Sequence, residues 1–124
     1  MIVAVCRSLF AALVFVPATL VAQAPALEGT WRVDTGTDVG SGPREVVIRS
    51  DSSASWGSET VRWRRVQNKI WIAIGGEWEI YELRLRRSDL TLSGGDLTRP
   101  VTLRRVGGPT PLPAGKTVPA DPDQ

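Results

Sequence analysis

From Gly29 to Val106 the apolar positions come in short runs rich in Val, Ile, Leu, Trp and Tyr, and no run keeps a helical period. Clusters of Gly, Asp, Ser and Asn separate them. This pattern predicts an all-β domain of eight short antiparallel strands: Thr30–Asp34, Arg44–Arg49, Ala54–Gly57, Glu59–Val66, Ile70–Ile74, Trp78–Arg86, Leu90–Ser93 and Val101–Val106.

The connections decide the topology. Ser50–Ser53, Gln67–Lys69, Gly75-Gly76, Arg87–Asp89 and Gly94–Asp96 are all short, so sequential strands must pair with one another. The longest link is the nine-residue segment Thr35–Pro43, with three glycines and a proline. The expected fold is therefore a small up-and-down meander barrel.

Period-two alternation assigns the faces. Tyr81, Leu83 and Leu85 share one side of the sixth strand, with Glu82, Arg84 and Arg86 opposite. Leu90 and Leu92 face inward, and Trp31 shares a side with Val33. A two-residue turn at Gly75-Gly76 pairs Ile72 with Glu79, Trp71 with Ile80 and Ile70 with Tyr81. Ile70, Ile72 and Ile74 then line the lumen together with Tyr81, while Trp71, Trp78 and Ile80 form an outer strip. A turn at Asn68-Lys69 pairs Arg65 with Ile72 and Trp63 with Ile74. Arg65 and Glu79 would then flank Ile72 inside the barrel, on strands about 10 Å apart, within reach of each other. The alternative stays open: a bulge near Ile80 turns Glu77 and Glu79 outward, and a longer turn does the same to Arg65. Charges are seldom buried in a small domain.

The flanks change the picture. Arg7, the apolar run Leu9–Val21 and Ala22-Gln23-Ala24 have the layout of a secretory signal peptide, read as a signal helix over residues 1–24. The run is short for a bilayer span, so no stable membrane span is expected after cleavage. The β domain covers residues 25–106. Residues 107–124 hold five prolines and no aromatic residue, the composition of a disordered tail. Cys6, the one cysteine, lies in the leader. An exported domain without a disulfide points to a secreted or periplasmic bacterial protein held together by its core. All five tryptophans lie in that domain, and the core is expected to draw heavily on them.

Charge and chemistry narrow the function. Setting Arg7 aside leaves fourteen Arg and Lys against thirteen Asp and Glu, a balance that argues against a nucleic-acid partner. The chain has no His, and the domain no Cys, which excludes the common nucleophilic triads and ordinary zinc or copper sites. No phosphate-binding glycine motif opens a helix. No catalytic residue, metal or cofactor is expected, and the protein is read as a monomeric non-enzyme.

Gly29-Thr30-Trp31 on the first strand and Leu103-Arg104-Arg105 on the last resemble the calycin superfamily of small barrels, and the chain looks like bacterial lipocalin-like domains. The resemblance implies a closed end built from Gly29, Trp31 and Arg105, with the arginine packed across the indole. It further implies a binding protein for a small apolar or amphipathic ligand. Its lumen candidates are Trp63, Arg65, Ile72, Ile74, Glu79 and Tyr81. The second expectation is an envelope protein–protein interaction module, or a protease-inhibitor-like barrel with a solid core. An open, apolar-lined mouth would support the first, and a packed interior with Trp71 and Trp78 displayed together would support the second.

Overall fold

The structure, a computed structural model, describes residues 26–124; the signal segment 1–24 lies outside the described residues. Eight antiparallel strands close into one barrel in strict sequence order: β1 (Gly29–Arg32), β2 (Glu45–Ile48), β3 (Ser53–Trp56), β4 (Glu59–Val66), β5 (Lys69–Ile74), β6 (Glu77–Arg86), β7 (Asp89–Ser93) and β8 (Val101–Gly107). The eight-strand meander read from the alternation is the fold observed, with boundaries moved by one or two residues. Closure by the β1–β8 pair leaves no sheet edge exposed.

The β5–β6 hairpin has the register the glycine pair predicts, from Ile70↔Tyr81 through Ile72↔Glu79 to Ile74↔Glu77. Gly75 and Gly76 sit at φ 62° and 82°, the left-handed pair that a tight hairpin turn requires and that L-residues resist. The β4–β5 register differs from expectation. Its turn is Gln67-Asn68, with Gln67 at φ 57°, so Val66 pairs Lys69, Arg65 pairs Ile70 and Trp63 pairs Ile72. The slip is two residues, an even number, so every side chain keeps its face.

Inward positions of all eight strands meet in one core. Trp31, Val46, Ile48, Ala54, Ile70, Ile72, Tyr81, Leu90, Leu92 and Leu103 have no accessible surface, and Trp56, Trp63, Leu85 and Leu97 pack against them. At the end where β1 begins, Trp31 donates its indole N–H to Leu27 O at 2.9 Å. A register shift in β8 sets Arg105 directly opposite Trp31, with its guanidinium 4.8 Å from the ring centroid. The same guanidinium donates to Glu28 O and Ala26 O, tying the segment before β1 to the last strand. A Cβ on Gly29 would stand 3.0 Å from Arg105 Nη1, so glycine there is what lets the guanidinium lie flat.

The opposite end is roofed. Ser41 of the long β1–β2 loop donates its hydroxyl to Asp96 O and accepts from Thr98 N, and Ser41 N donates to Thr98 Oγ1. Arg99 pairs with Asp38 at 3.0 Å. Val39 and Leu97 drop from these two loops onto the core.

Residues 108–124 form no helix or strand, yet they have a course the composition did not predict. They run over the outside of the barrel. Thr30 Oγ1 donates to Gly108 O at 2.8 Å and Arg49 Nε to Thr110 O at 2.7 Å. Arg49 is buried and also donates to Ser55 Oγ at 2.8 Å. Hydrogen bonds from a charged donor contribute more than neutral ones, so Arg49→Met should lower stability by about 1–2 kcal/mol. Amide exchange around Thr110 should speed up in that variant while the β5–β6 amides stay protected. Equal acceleration of both would show that Arg49 holds the barrel and not the strap.

Candidate functional site

The lumen residues singled out by sequence lie on three rungs of the β4–β5–β6 wall. Trp63, Ile72 and Glu79 form one rung, and Arg65, Ile70 and Tyr81 the next. Arg65 and Glu79 therefore do not flank Ile72; the even slip of β4 puts Trp63 there and moves Arg65 two residues along, about 6.8 Å. Arg65 is half-buried and donates to Gln67 O at 3.1 Å, beside its own turn. Ile74, on the third rung opposite Glu77, is 39% exposed and lies at the rim, not in the lumen.

The others close the interior. Trp63 donates its indole N–H to Arg49 O at 2.8 Å, beneath the β2–β3 turn. Tyr81 stacks on Trp56 with ring centroids 5.0 Å apart and donates its hydroxyl to Asp96 at 2.7 Å. Burial first, then the Asp96 hydrogen bond and the charges of Asp96 and Glu79, push the Tyr81 phenol above its ordinary value. Gly95 lies against this group: a Cβ there would be 2.8 Å from the Tyr81 ring and 3.0 Å from Glu79 Oε1. A lumen able to take a ligand leaves its walls accessible to water. Ile70, Ile72, Tyr81, Leu90, Leu92 and Leu103 have no accessible surface, so at these positions the barrel is filled by its own side chains.

The outer wall is chemically richer. Arg62, Ala73 and Trp78 form one outward rung, and Arg64, Trp71 and Ile80 the next. The Arg64 guanidinium lies 4.4 Å from the Trp71 ring centroid and 4.5 Å from that of Trp78. The two indoles meet edge to face at 5.9 Å. Trp71 Nε1, Trp78 Nε1 and Arg64 Nε are shielded from water and have no hydrogen-bond acceptor among the described residues. Arg64 Nη2 pairs with Asp123 at 2.8 Å, and Arg62 Nε donates to Pro119 O at 2.7 Å.

Alternation placed Trp71 and Trp78 together outside. It missed Arg64, because the expected turn set Arg64 opposite Ala73 instead of Trp71. The signal was present in Arg62-Trp63-Arg64-Arg65, where Arg62 and Arg64 must share a face away from Trp63.

Among the described residues no three acidic side chains gather to hold a metal ion. No helix among them is long and apolar enough to cross a membrane. Fold and site together define a closed eight-stranded meander barrel with a filled interior and a cationic–aromatic cluster on its outer wall. No protein-family model, curated protein or solved structure matches the chain.

Proposed function

We propose that this protein is a non-enzymatic, exported interaction module that binds a protein partner through its outer wall. The observation that carries the reading is the Arg64–Trp71–Trp78 cluster, displayed on a barrel whose inward side chains leave no room at Ile70, Ile72 or Tyr81. Tryptophan and arginine are the residues most enriched at the energetic centres of protein interfaces, where large rings and a delocalised charge lose little hydration. Ile80, 39% exposed, extends the same surface. A secreted or periplasmic location belongs to this proposal and is supported by the layout of residues 1–24. The likeness to calycin barrels is kept as one of architecture, supported by the Trp31–Arg105 stack. A small apolar ligand in the lumen has less support, because its walls are already occupied.

Three measurements test this together. A photo-crosslinking residue at position 80, in the mature protein exposed to an envelope extract of the source organism, should capture a discrete protein. Trp78→Ala should cut that yield several-fold. Native mass spectrometry and a hydrophobe panel should find the purified barrel empty and its Trp emission unchanged. A lipid bound at one equivalent, quenching that emission, would return the function to the lumen.

A further inference from the structure

Several outward-facing side chains are as buried as the core. Val47 and Ala73 alternate with inward residues and lie outside the core cluster, yet they are 3% and 4% exposed. Thr30, Arg49 and Ser53 are buried in the same way. The C-terminal segment covers this wall, and its anchors follow chain order: Gly108 O on Thr30, Thr110 O on Arg49, Pro119 O on Arg62 and Asp123 on Arg64. Pro119 and Ala120 border a hollow shared with Val61, Ala73 and Gly75-Gly76.

The chemistry of this contact is that of a bound peptide. Residues 117–120 form no turn or ladder, which leaves Pro119 O free to accept, and residues 121–124 close a turn in which Gln124 N donates to Asp121 O at 3.1 Å. Arginine side chains supply the donors, and aromatic rings flank the seat. The tail does not fill the seat, however. Arg64 Nε and both indole N–H groups have no acceptor among the described residues while shielded from water, and an occupant reaching all three would be held more firmly. The Arg64–Asp123 pair is about half exposed, so salt weakens it and the tail can be displaced.

We infer that the outer wall of β4–β6 is a binding site for a proline-containing segment of a partner protein that ends in an acidic turn, and that residues 118–124 occupy it as an intramolecular stand-in. The inference rests on the interaction reading above and names the chemistry of its partner: free carbonyls for Arg62 and the two indoles, and a carboxylate for Arg64. The tail meets these terms in part, through Pro119, Asp121, Pro122 and Asp123. Being tethered, it competes at an effective concentration on the order of 1 mM.

The test uses the full mature chain, isotopically labelled, with Asp121→Lys and Asp123→Lys to loosen the tail. A synthetic peptide of residues 116–124 is added, and the five tryptophan indole N–H signals are followed by NMR. Trp31, bonded to Leu27 O, is the internal control for folding. The Trp71 and Trp78 signals should shift saturably and the Trp31 signal should stay. A peptide carrying Asp123→Lys should bind about fivefold more weakly, the scale of an exposed ion pair lost. In the unmodified chain, whose tail already holds the seat, the Trp71 and Trp78 signals should start near the peptide-bound positions and added peptide should move them little. Saturating peptide that leaves Trp71 and Trp78 unmoved, with Trp31 native, overturns the inference. If crosslinking from position 80 persists in that case, the interaction reading stands and only the partner chemistry falls; if it too is absent, both fall. A chain that sediments as a dimer, and becomes monomeric with the two lysines, would assign the seat to a second copy's tail and overturn the assignment to a partner protein.

Discussion

Replacing Trp31 with alanine should lower the stability of the barrel by about 3–5 kcal/mol, the range for deleting a fully buried aromatic side chain. Three losses combine at this position. The indole has no accessible surface and is among the largest of the fully buried side chains. Its N–H bond to Leu27 O fixes the segment that seals this end of the barrel. Its ring is also the platform for Arg105, whose guanidinium holds Ala26 and Glu28 through their carbonyls. Truncation leaves a cavity and a cation without its aromatic face, so the segment before β1 should detach first. Chemical denaturation checks the magnitude, and hydrogen exchange at residues 26–30 checks the order of events. Trp31→Phe separates the terms, because it keeps most of the volume and the cation–π face but loses the indole N–H. A midpoint unchanged by Trp31→Ala would remove this residue from the core.

The contrast between Trp31 and Arg64 shows what the chain discloses before folding. Strand number, meander order and the faces of β5 and β6 were legible because each rests on a local rule: alternation, turn chemistry and a glycine pair. The β4–β5 register was not. Gln67 takes a positive φ without being glycine or asparagine, and nothing in Gln67-Asn68-Lys69 separates a turn at Gln67-Asn68 from one at Asn68-Lys69. That ambiguity preserved the faces but moved Arg64 onto Trp71 and parted Arg65 from Glu79. The roof was hidden for another reason. Thr35–Pro43 has no periodicity, and its contact with Asp96 and Thr98 depends on loop conformations that only the closed barrel brings together. The strap was hidden most completely. Its anchors are backbone carbonyls, which every residue carries, so composition could register the missing apolar side chains but not the arginines waiting opposite.

Tyr81 supplies a pH prediction of unusual clarity, because it is the one tyrosine in the chain. Burial among apolar neighbours, the hydrogen bond to Asp96 and the nearby carboxylates all favour the neutral phenol, so its folded-state pKa lies above the unfolded value of 10.0. The sign follows from proton counting. Below about pH 10 both states hold the phenolic proton and Tyr81 adds no pH dependence. Above it the unfolded chain releases the proton and the native barrel keeps it, so stability falls as pH rises, by about 1.4 kcal/mol per pH unit. Absorbance near 295 nm, which reports tyrosinate, should therefore stay flat through pH 10 in the native protein and rise only as the barrel unfolds. Tyr81→Phe should abolish this alkaline slope while retaining the stack on Trp56, at the expense of leaving Asp96 without its donor. The comparison also cancels every alkaline effect that the two proteins share. A phenol that ionises near pH 10 with the barrel still folded would mean that water reaches the Trp56–Tyr81 stack, and the filled interior on which the outer-wall reading depends would then be open.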